Sequence, residues 1–315
     1  MSPKRNLAQA RAAFAPLFFI LTCPAPSVAQ ELLDVAYVSG GAEKQRLDLY
    51  LPQALDVPKP VVLLVHGGSL WSGDRKDSPW PRRVCEAFAA EGVACAATSY
   101  RLYPQVDWPA PAQDVAAAFA WLHSNVASYG GDPRRIVLVG HSSGCLLSTL
   151  VASNPSLLAP HGLGPSDVFG VVAIGCRLDE TPPDTTGVSA ERVAQAFAAG
   201  GTYENFGSLD NLRSYYPMTH LGAHVPPFLA LIAEGERFKP PILEDAATYV
   251  GLARDCRVDA DLAILPNRTH MTAVEELVSR EDPSFLLIMA FVHRLSEVGP
   301  RTHLADPDRC PTPIR

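Results

Sequence analysis

A serine flanked by two glycines stands where an apolar segment gives way to a helix-forming one. The pentapeptide GHSSG occupies residues 140–144, directly after the run RIVLV at 135–139 and before CLLSTLVA at 145–152. A sharp turn from strand to helix raises its central side chain clear of the sheet. Glycine is needed at both flanks, because a Cβ there would collide with the neighbouring strand or helix. The pattern therefore predicts that Ser142 is a nucleophile.

A serine hydroxyl is a weak nucleophile at neutral pH and needs a base, a group that orients the base, and N–H donors for the oxyanion. A second glycine motif supplies candidate donors. The tetrapeptide HGGS at 66–69 follows the apolar segment 60–65, and glycine lets backbone approach a ligand closely. We therefore assign the oxyanion hole to the N–H groups of Gly67, Gly68 and Ser143.

His270 is the candidate base among nine histidines. It follows the apolar segment 260–265 near the end of the chain, where a histidine is expected if the order is serine, acid, histidine. His220 and His224 precede the candidate seventh strand and so come too early, and His293 lies in a helical pattern.

The orienting acid is the residue that the pattern determines least. The apolar segment 227–233 runs into Glu234 and Glu236, and the next aspartate is Asp245 in a candidate helix. Glu236 takes the acid position if the strand ends at Ala233, whereas Glu234 takes it if the loop is one turn tighter. Glutamate serves in this chemistry as well as aspartate does. The alternative to both is that the two carboxylates are solvated loop residues, so the choice stays open.

Eight apolar segments alternate with helical segments, which predicts an α/β fold with a mostly parallel eight-stranded sheet flanked by helices. The candidate strands are residues 34–38, 47–51, 61–65, 93–99, 136–139, 168–174, 228–233 and 261–265. The candidate helices are residues 81–90, 111–128, 142–153, 240–254 and 283–295. The first two strands have no helix between them, which predicts an antiparallel edge.

Residues 177–212 break the alternation and predict a small cap insertion after the sixth strand. Its aromatic residues, and two that follow it, either line an acyl or aryl pocket or pack the cap onto the core: Phe197, Tyr203, Phe206, Tyr215 and Tyr216. His66 and His141, within the two glycine motifs, are expected to brace those loops.

The composition fits one large domain and excludes several function classes. The chain has 315 residues, 47% of them hydrophobic, with a net charge of −7 and no basic run beyond its N-terminus. These values argue against nucleic acid or an anionic membrane surface as a partner. Neither a zinc-type His/Cys spacing nor a dinucleotide or phosphate-binding glycine pattern is present. We therefore expect no cofactor and no metal.

The first 29 residues resemble a secretory signal peptide. Basic residues precede the short apolar stretch 14–21, and the small residues 27–29 offer a cleavage site. Cleavage leaves residues 30–315 as the mature domain, without stable membrane insertion, in a secreted or periplasmic location. An uncleaved N-terminal anchor is the alternative.

Seven cysteines occur in the chain, and six of them lie beyond residue 29. An oxidising compartment permits disulfides, but the sequence leaves the pairing open. Cys145, just past the serine turn, is expected to be a buried thiol.

With its GHSSG and HGGS motifs and His270, the chain resembles members of the α/β-hydrolase superfamily. The resemblance is to the HGG-type carboxylesterase and lipase branch, which includes feruloyl-esterase-like proteins and kynurenine formamidases. The resemblance extends over roughly residues 46–292, and its matching stretches are 66–74, 99–102, 114–122, 140–144, 217–220 and His270. It implies the fold, the order of the triad and ester hydrolysis. The chain departs from the family at Ser69, where many relatives carry a third glycine, and at Glu236, where most carry aspartate.

The prediction is a serine hydrolase that cleaves short-chain or aryl carboxylic esters through an acyl-enzyme, with Ser142, His270 and Glu236 as its triad. Its partner is a small-molecule ester. The same triad serves amide hydrolysis, so an arylformamidase or a peptidase is the alternative. A non-catalytic binding module is less consistent with a chain that keeps both serine and histidine. The oligomeric state stays unknown.

Overall fold

A computed structural model describes residues 30–53, 57–179, 206–237, 239–299 and Cys310. The expected signal peptide at 1–29 and most of the expected cap at 177–212 lie outside these residues. Among the described residues, no helix is both long and apolar enough to cross a bilayer.

A single eight-stranded sheet runs through the described part of the chain. The strands are β1 Gln30–Ala36, β2 Arg46–Leu51, β3 Lys59–Val65, β4 Ala94–Thr98, β5 Gly131–His141, β6 Gly170–Ile174, β7 Phe228–Gly235 and β8 Ala260–Thr269. Their spatial order is β1-β2-β4-β3-β5-β6-β7-β8. β2 is antiparallel to both of its neighbours, and every later pairing is parallel. The predicted mostly parallel sheet and its antiparallel edge are confirmed.

Helices connect the parallel strands, because a parallel pair needs a crossover connection. The helices between strands are α1 Trp80–Ala90, α2 Ala110–Asn125, α3 Ser143–Ser153, α4 Pro155–Leu158, α5 Leu209–Tyr215 and α6 Lys239–Asp255. Two more, α7 Thr272–Glu275 and α8 Pro283–Val298, follow β8. The five predicted helices correspond to α1, α2, α3, α6 and α8, with ends that differ by a few residues.

Two apolar layers cover the two faces of the sheet. Along β3, the side chains of Leu63 and Val65 join the core that contains α2 and α3, whereas Leu64 joins the core on the opposite face. Phe88 of α1 and Phe285 of α8 belong to this second core, with ring centroids 5.0 Å apart. Because both faces are covered, β3 is a continuous apolar run rather than an alternating one.

The parallel strands all end at one edge of the sheet and bring distant segments together there. Val65 lies beside Gly140 in the β3–β5 pairing. His141 lies beside Ile174 in the β5–β6 pairing, and Gly235 lies beside Thr269 in the β7–β8 pairing. The residues that follow these strand ends therefore share one surface.

Three disulfides link the described residues: Cys85–Cys95, Cys145–Cys176 and Cys256–Cys310. The prediction that Cys145 is a thiol is wrong, although its burial is as expected, with 1% of the residue exposed. The loop after β6 brings Cys176 to a Cα–Cα distance of 5.8 Å from Cys145. That approach depends on the pairing of β5 with β6, which local sequence does not reveal.

Candidate active site

Ser142 lies at the apex of the turn between β5 and α3 in a conformation that non-glycine residues rarely adopt. Its backbone angles are φ 54° and ψ −126°. Such a conformation costs about 1–3 kcal/mol and persists only when the surrounding structure imposes it. The Ser142 N–H donates to the Ile174 carbonyl at 2.9 Å, which ties the turn to the end of β6.

The two flanking glycines are required by backbone packing. A Cβ at Gly140 would lie 2.3 Å from the Gly144 carbonyl oxygen, and a Cβ at Gly144 would lie 2.2 Å from the carbonyl oxygen of Val65. Backbone atoms cannot rotate away as a flexible side chain can, so neither position accepts a larger residue without displacing a strand or α3.

The HGGS loop approaches the serine closely. A Cβ at Gly67 would lie 2.8 Å from the Ser142 Cβ and 3.0 Å from the His141 carbonyl oxygen. Gly68 has φ 122°, and Ser69 has φ 57°. The structure thus brings Gly67 against Ser142. Ser143 begins α3, where backbone N–H groups have no partner within the helix and favour negative charge.

The segment beyond this loop is held by a buried arginine, Arg75, which the sequence predicts as a loop stabiliser. The Arg75 guanidinium donates to Asp48 at 3.0 Å and to the Ser99 hydroxyl at 3.1 Å, and it also pairs with Asp34. Only 3% of Arg75 is exposed. The ammonium of Lys44 donates to the Gly73 carbonyl at 2.9 Å. Together these contacts anchor the loop to β2 and β4.

The two histidines of the glycine motifs brace their loops, as expected. The His66 ring lies parallel to Tyr100 at a centroid distance of 4.3 Å, and its Nδ1–H donates to the Gly67 carbonyl at 2.7 Å. The Nε2–H of His141 donates to the backbone carbonyl of His270, also at 2.7 Å. His141 therefore joins the serine turn to the loop after β8.

Burial keeps both of these histidines neutral. Desolvation lowers the pKa of His66 to about 4. Desolvation, followed by repulsion from His270, lowers the pKa of His141 to about 3. A neutral His141 keeps one N–H for the His270 carbonyl and adds no positive charge beside the candidate base.

His270 and Glu236 form a close pair. The His270 Nδ1 lies 2.7 Å from Glu236 Oε2, and the Glu236 side chain is fully buried whereas 29% of the His270 side chain is exposed. Since Gly235 and Thr269 pair in the sheet, the residues that follow them emerge side by side.

Glu234, the alternative acid, lies in a different environment. Its carboxylate accepts the N–H of Asn267 at 3.0 Å, at the exposed carboxyl ends of β7 and β8. The structure thus places Glu236, and not Glu234, against His270.

Gly175 is a site residue that sequence reasoning missed. It follows β6 with φ 62°, and a Cβ there would lie 3.2 Å from Glu236 Oε2 and 3.3 Å from His270 Nδ1. The loop after β6 therefore packs directly against the acid and the base. The only signal in the sequence is a glycine at the end of an apolar run. In the part of the chain that the structure describes, no three His, Cys, Asp or Glu residues are grouped to hold a metal ion.

Comparison with known proteins agrees with this architecture. The BD-FAE family model matches residues 47–158. The chain is 33% identical over 141 residues to a probable isoprenylcysteine alpha-carbonyl methylesterase, ICMEL2, of Arabidopsis thaliana, covering 41% of this chain and 33% of that protein. It is 31% identical over 222 residues to the esterase LipC of Mycobacterium tuberculosis, covering 67% of this chain and 52% of that protein. The chain thus spans about half or less of the length of these two relatives.

A solved structure, esterase B from Lactobacillus rhamnosis, has the same fold. It superposes with a TM-score of 0.68 at 20% identity, over 87% of this chain and 88% of that one. The strand order, with the strained turn between β5 and α3, is that of the α/β-hydrolase fold. The chain is similar in sequence to esterases and a probable carboxylic ester hydrolase, over part of its length.

The packing around Gly144 generates a stability prediction. Gly144→Ala should lower the free energy of unfolding by about 3 kcal/mol, because the added methyl meets only backbone that cannot repack. Gly251→Ala is the matched control, since a Cβ at Gly251 within α6 meets nothing within 4 Å. That control should gain about 0.5–1 kcal/mol from helix propensity. Urea unfolding followed by circular dichroism measures both; equal effects of the two substitutions would contradict the packing argument.

The buried histidines predict acid sensitivity. The folded pKa values lie below the unfolded value of 6.5, so the unfolded state binds more protons and stability falls as the pH drops below about 6.5. Each buried histidine should contribute about 1.4 kcal/mol per pH unit down to its folded pKa.

Thermal unfolding measured from pH 7 to pH 4 tests this dependence. His141→Gln removes one titrating group and keeps an N–H donor, so its stability should fall less steeply with acid than that of the wild type. His161→Gln, at an exposed position, should leave the slope unchanged. An unaltered slope in His141→Gln would show that folding does not lower the pKa of His141.

Proposed function

We propose that this protein is a serine hydrolase that cleaves carboxylic esters, with Ser142 as nucleophile, His270 as general base and Glu236 as the acid that orients it. The observation that carries the proposal is the 2.7 Å contact between His270 Nδ1 and the buried Glu236 carboxylate. This pair lies beside a serine whose backbone is held in a strained turn. The names of the relatives, an esterase and a methylesterase, support the ester class.

The pair sets the tautomer of the base. The Nδ1–H of His270 donates to Glu236, which leaves Nε2 unprotonated and able to accept the serine proton. When that proton arrives, the buried carboxylate stabilises the imidazolium, because a charge pair interacts more strongly away from water.

The reaction then follows in two halves. His270 takes the Ser142 proton as Oγ attacks the acyl carbon, and the N–H groups of Gly67, Gly68 and Ser143 stabilise the oxyanion. His270 returns the proton to the departing alcohol, and the acyl group stays on Ser142. Water, deprotonated by His270, then attacks the acyl carbon. The bond from that carbon to Ser142 Oγ breaks, His270 returns the proton to Oγ, and the carboxylic acid is released.

Exposed apolar side chains next to the proposed catalytic residues favour short-chain or aryl esters. Trp71, on the HGGS loop, is 48% exposed and lies edge-on to Tyr103 at a centroid distance of 4.2 Å. Met271, directly after His270, is 44% exposed. These side chains offer an apolar surface of limited size beside the HGGS loop and His270. A surface of that size suits a short or aryl acyl group better than a long chain.

A location outside the cytoplasm is also part of the proposal. Three disulfides among the described residues support an oxidising compartment, since such bonds are rare where thiols are kept reduced. This agrees with the secretory signal expected at residues 1–29.

A substrate panel tests the function. Rates on p-nitrophenyl esters of increasing acyl length should be highest for short or aryl acyl groups, and Ser142→Ala should lower kcat on the order of 10⁴-fold. Ser296→Ala, within α8, should keep the wild-type rate. A preference for an aryl formamide or a peptide anilide would assign an amide hydrolase, and activity that rises to palmitate esters at an oil–water interface would assign a lipase.

Two glutamine substitutions test the acid. Glu236→Gln should lower kcat by about 10³–10⁴-fold with the fold intact, because an amide cannot stabilise the imidazolium or hold the correct tautomer. Glu234→Gln, which changes a neighbouring carboxylate on the same loop, should cost little. Steady-state kinetics on one short-chain ester distinguishes them; the reverse pattern would make Glu234 the acid.

A further inference from the structure

The Cys145–Cys176 disulfide joins two segments that each adjoin the proposed catalytic residues. Cys145 lies in the first turn of α3, three residues after Ser142. Cys176 directly follows Gly175 in the loop after β6. The bond therefore connects the helix that continues from the nucleophile with the loop that packs against the base and the acid.

The loop after β6 lies between the serine turn and the acid–base pair. On one side, where the loop leaves β6, the carbonyl of Ile174, the last residue of that strand, accepts the Ser142 N–H at 2.9 Å. On the other, a Cβ at Gly175 would meet Glu236 and His270 within 3.3 Å. A shift of this loop would therefore change the placement of the acid and base relative to the serine.

A disulfide and a carboxylate hold the loop through side chains. Cys176 is held through its bond to Cys145, and 1% of Cys145 and 6% of Cys176 are exposed. Further along, the Asp245 carboxylate on α6 accepts the Arg177 guanidinium at 2.5 Å and the backbone N–H of Leu178 at 3.2 Å. The Gly175 N–H also donates to the Leu231 carbonyl at 3.0 Å, which ties the start of the loop to β7. Of these contacts, the disulfide is the one that reaches α3, the helix that begins directly after Ser142.

We propose that the Cys145–Cys176 disulfide is a positioning element that holds the loop after β6 against Glu236 and His270 and so sets the placement of the base relative to Ser142. This inference rests on the proposed ester hydrolysis. A misplacement of reacting groups by about 1 Å can lower a rate about 10²-fold. Full activity therefore requires Cys145 and Cys176 to be joined as a disulfide.

Two double variants separate positioning from general stability. Cys145→Ala/Cys176→Ala removes the proposed positioning disulfide. Cys85→Ala/Cys95→Ala removes a different buried disulfide, which joins α1 to β4 in the core on the opposite face of the sheet. Both are assayed well below their Tm, after near-UV circular dichroism has established native packing. Both should lose Tm, but only the first should lose kcat, by about 10–100-fold, with KM within about twofold of the wild type.

The wild type is assayed first on the short-chain ester, because absent turnover there refutes the proposed function itself. With an active wild type, equal kcat in the two variants overturns the inference, whether both keep the wild-type value or both lose activity alike. If Cys145→Ala/Cys176→Ala does not fold, Cys145→Val/Cys176→Ala replaces it to refill the buried volume. Failure of both to fold also overturns the inference, since the bond would then hold the whole fold rather than the site.

Discussion

Close packing of backbone around Ser142 is the constraint on which the rest of the site depends. The carbonyl oxygen of Val65 lies so near Gly144 that α3 can leave β5 only through a strained turn. The same proximity brings the HGGS loop, which follows β3, to within contact of the serine through Gly67. One steric condition therefore sets the strained turn at Ser142, the proposed nucleophile, and brings the HGGS loop beside it.

Burial then sets the charge state of the residues around that turn. Desolvation keeps His66 and His141 neutral, so each acts as a hydrogen-bonding brace. Glu236 is buried as well, but it lies within 2.7 Å of a histidine that can share a proton with it. A buried carboxylate is tolerated where a partner of opposite charge or a donor is in contact. Of these residues, only His270, the proposed general base, is partly exposed.

Ionic and covalent contacts hold two of the loops that this site uses. Arg75 and its carboxylate partners anchor the segment after the HGGS loop. Asp245 and the Cys145–Cys176 bond hold the loop after β6. Loops are ordinarily the mobile part of a fold, so these fixed contacts allow a site built on five strand ends to keep one geometry.

The sequence by itself determined the features that local pattern controls. The strands and helices, the serine turn and the glycine loop follow from apolar runs and from glycines that no other residue can replace. Tertiary structure alone decided which carboxylate meets His270, because Glu234 and Glu236 differ only in where the β7–β8 register directs them. It also decided that Cys145 forms a disulfide with Cys176 and that Gly175 packs against Glu236 and His270. Those contacts join segments far apart in the chain, and only the pairing of the strands brings them together.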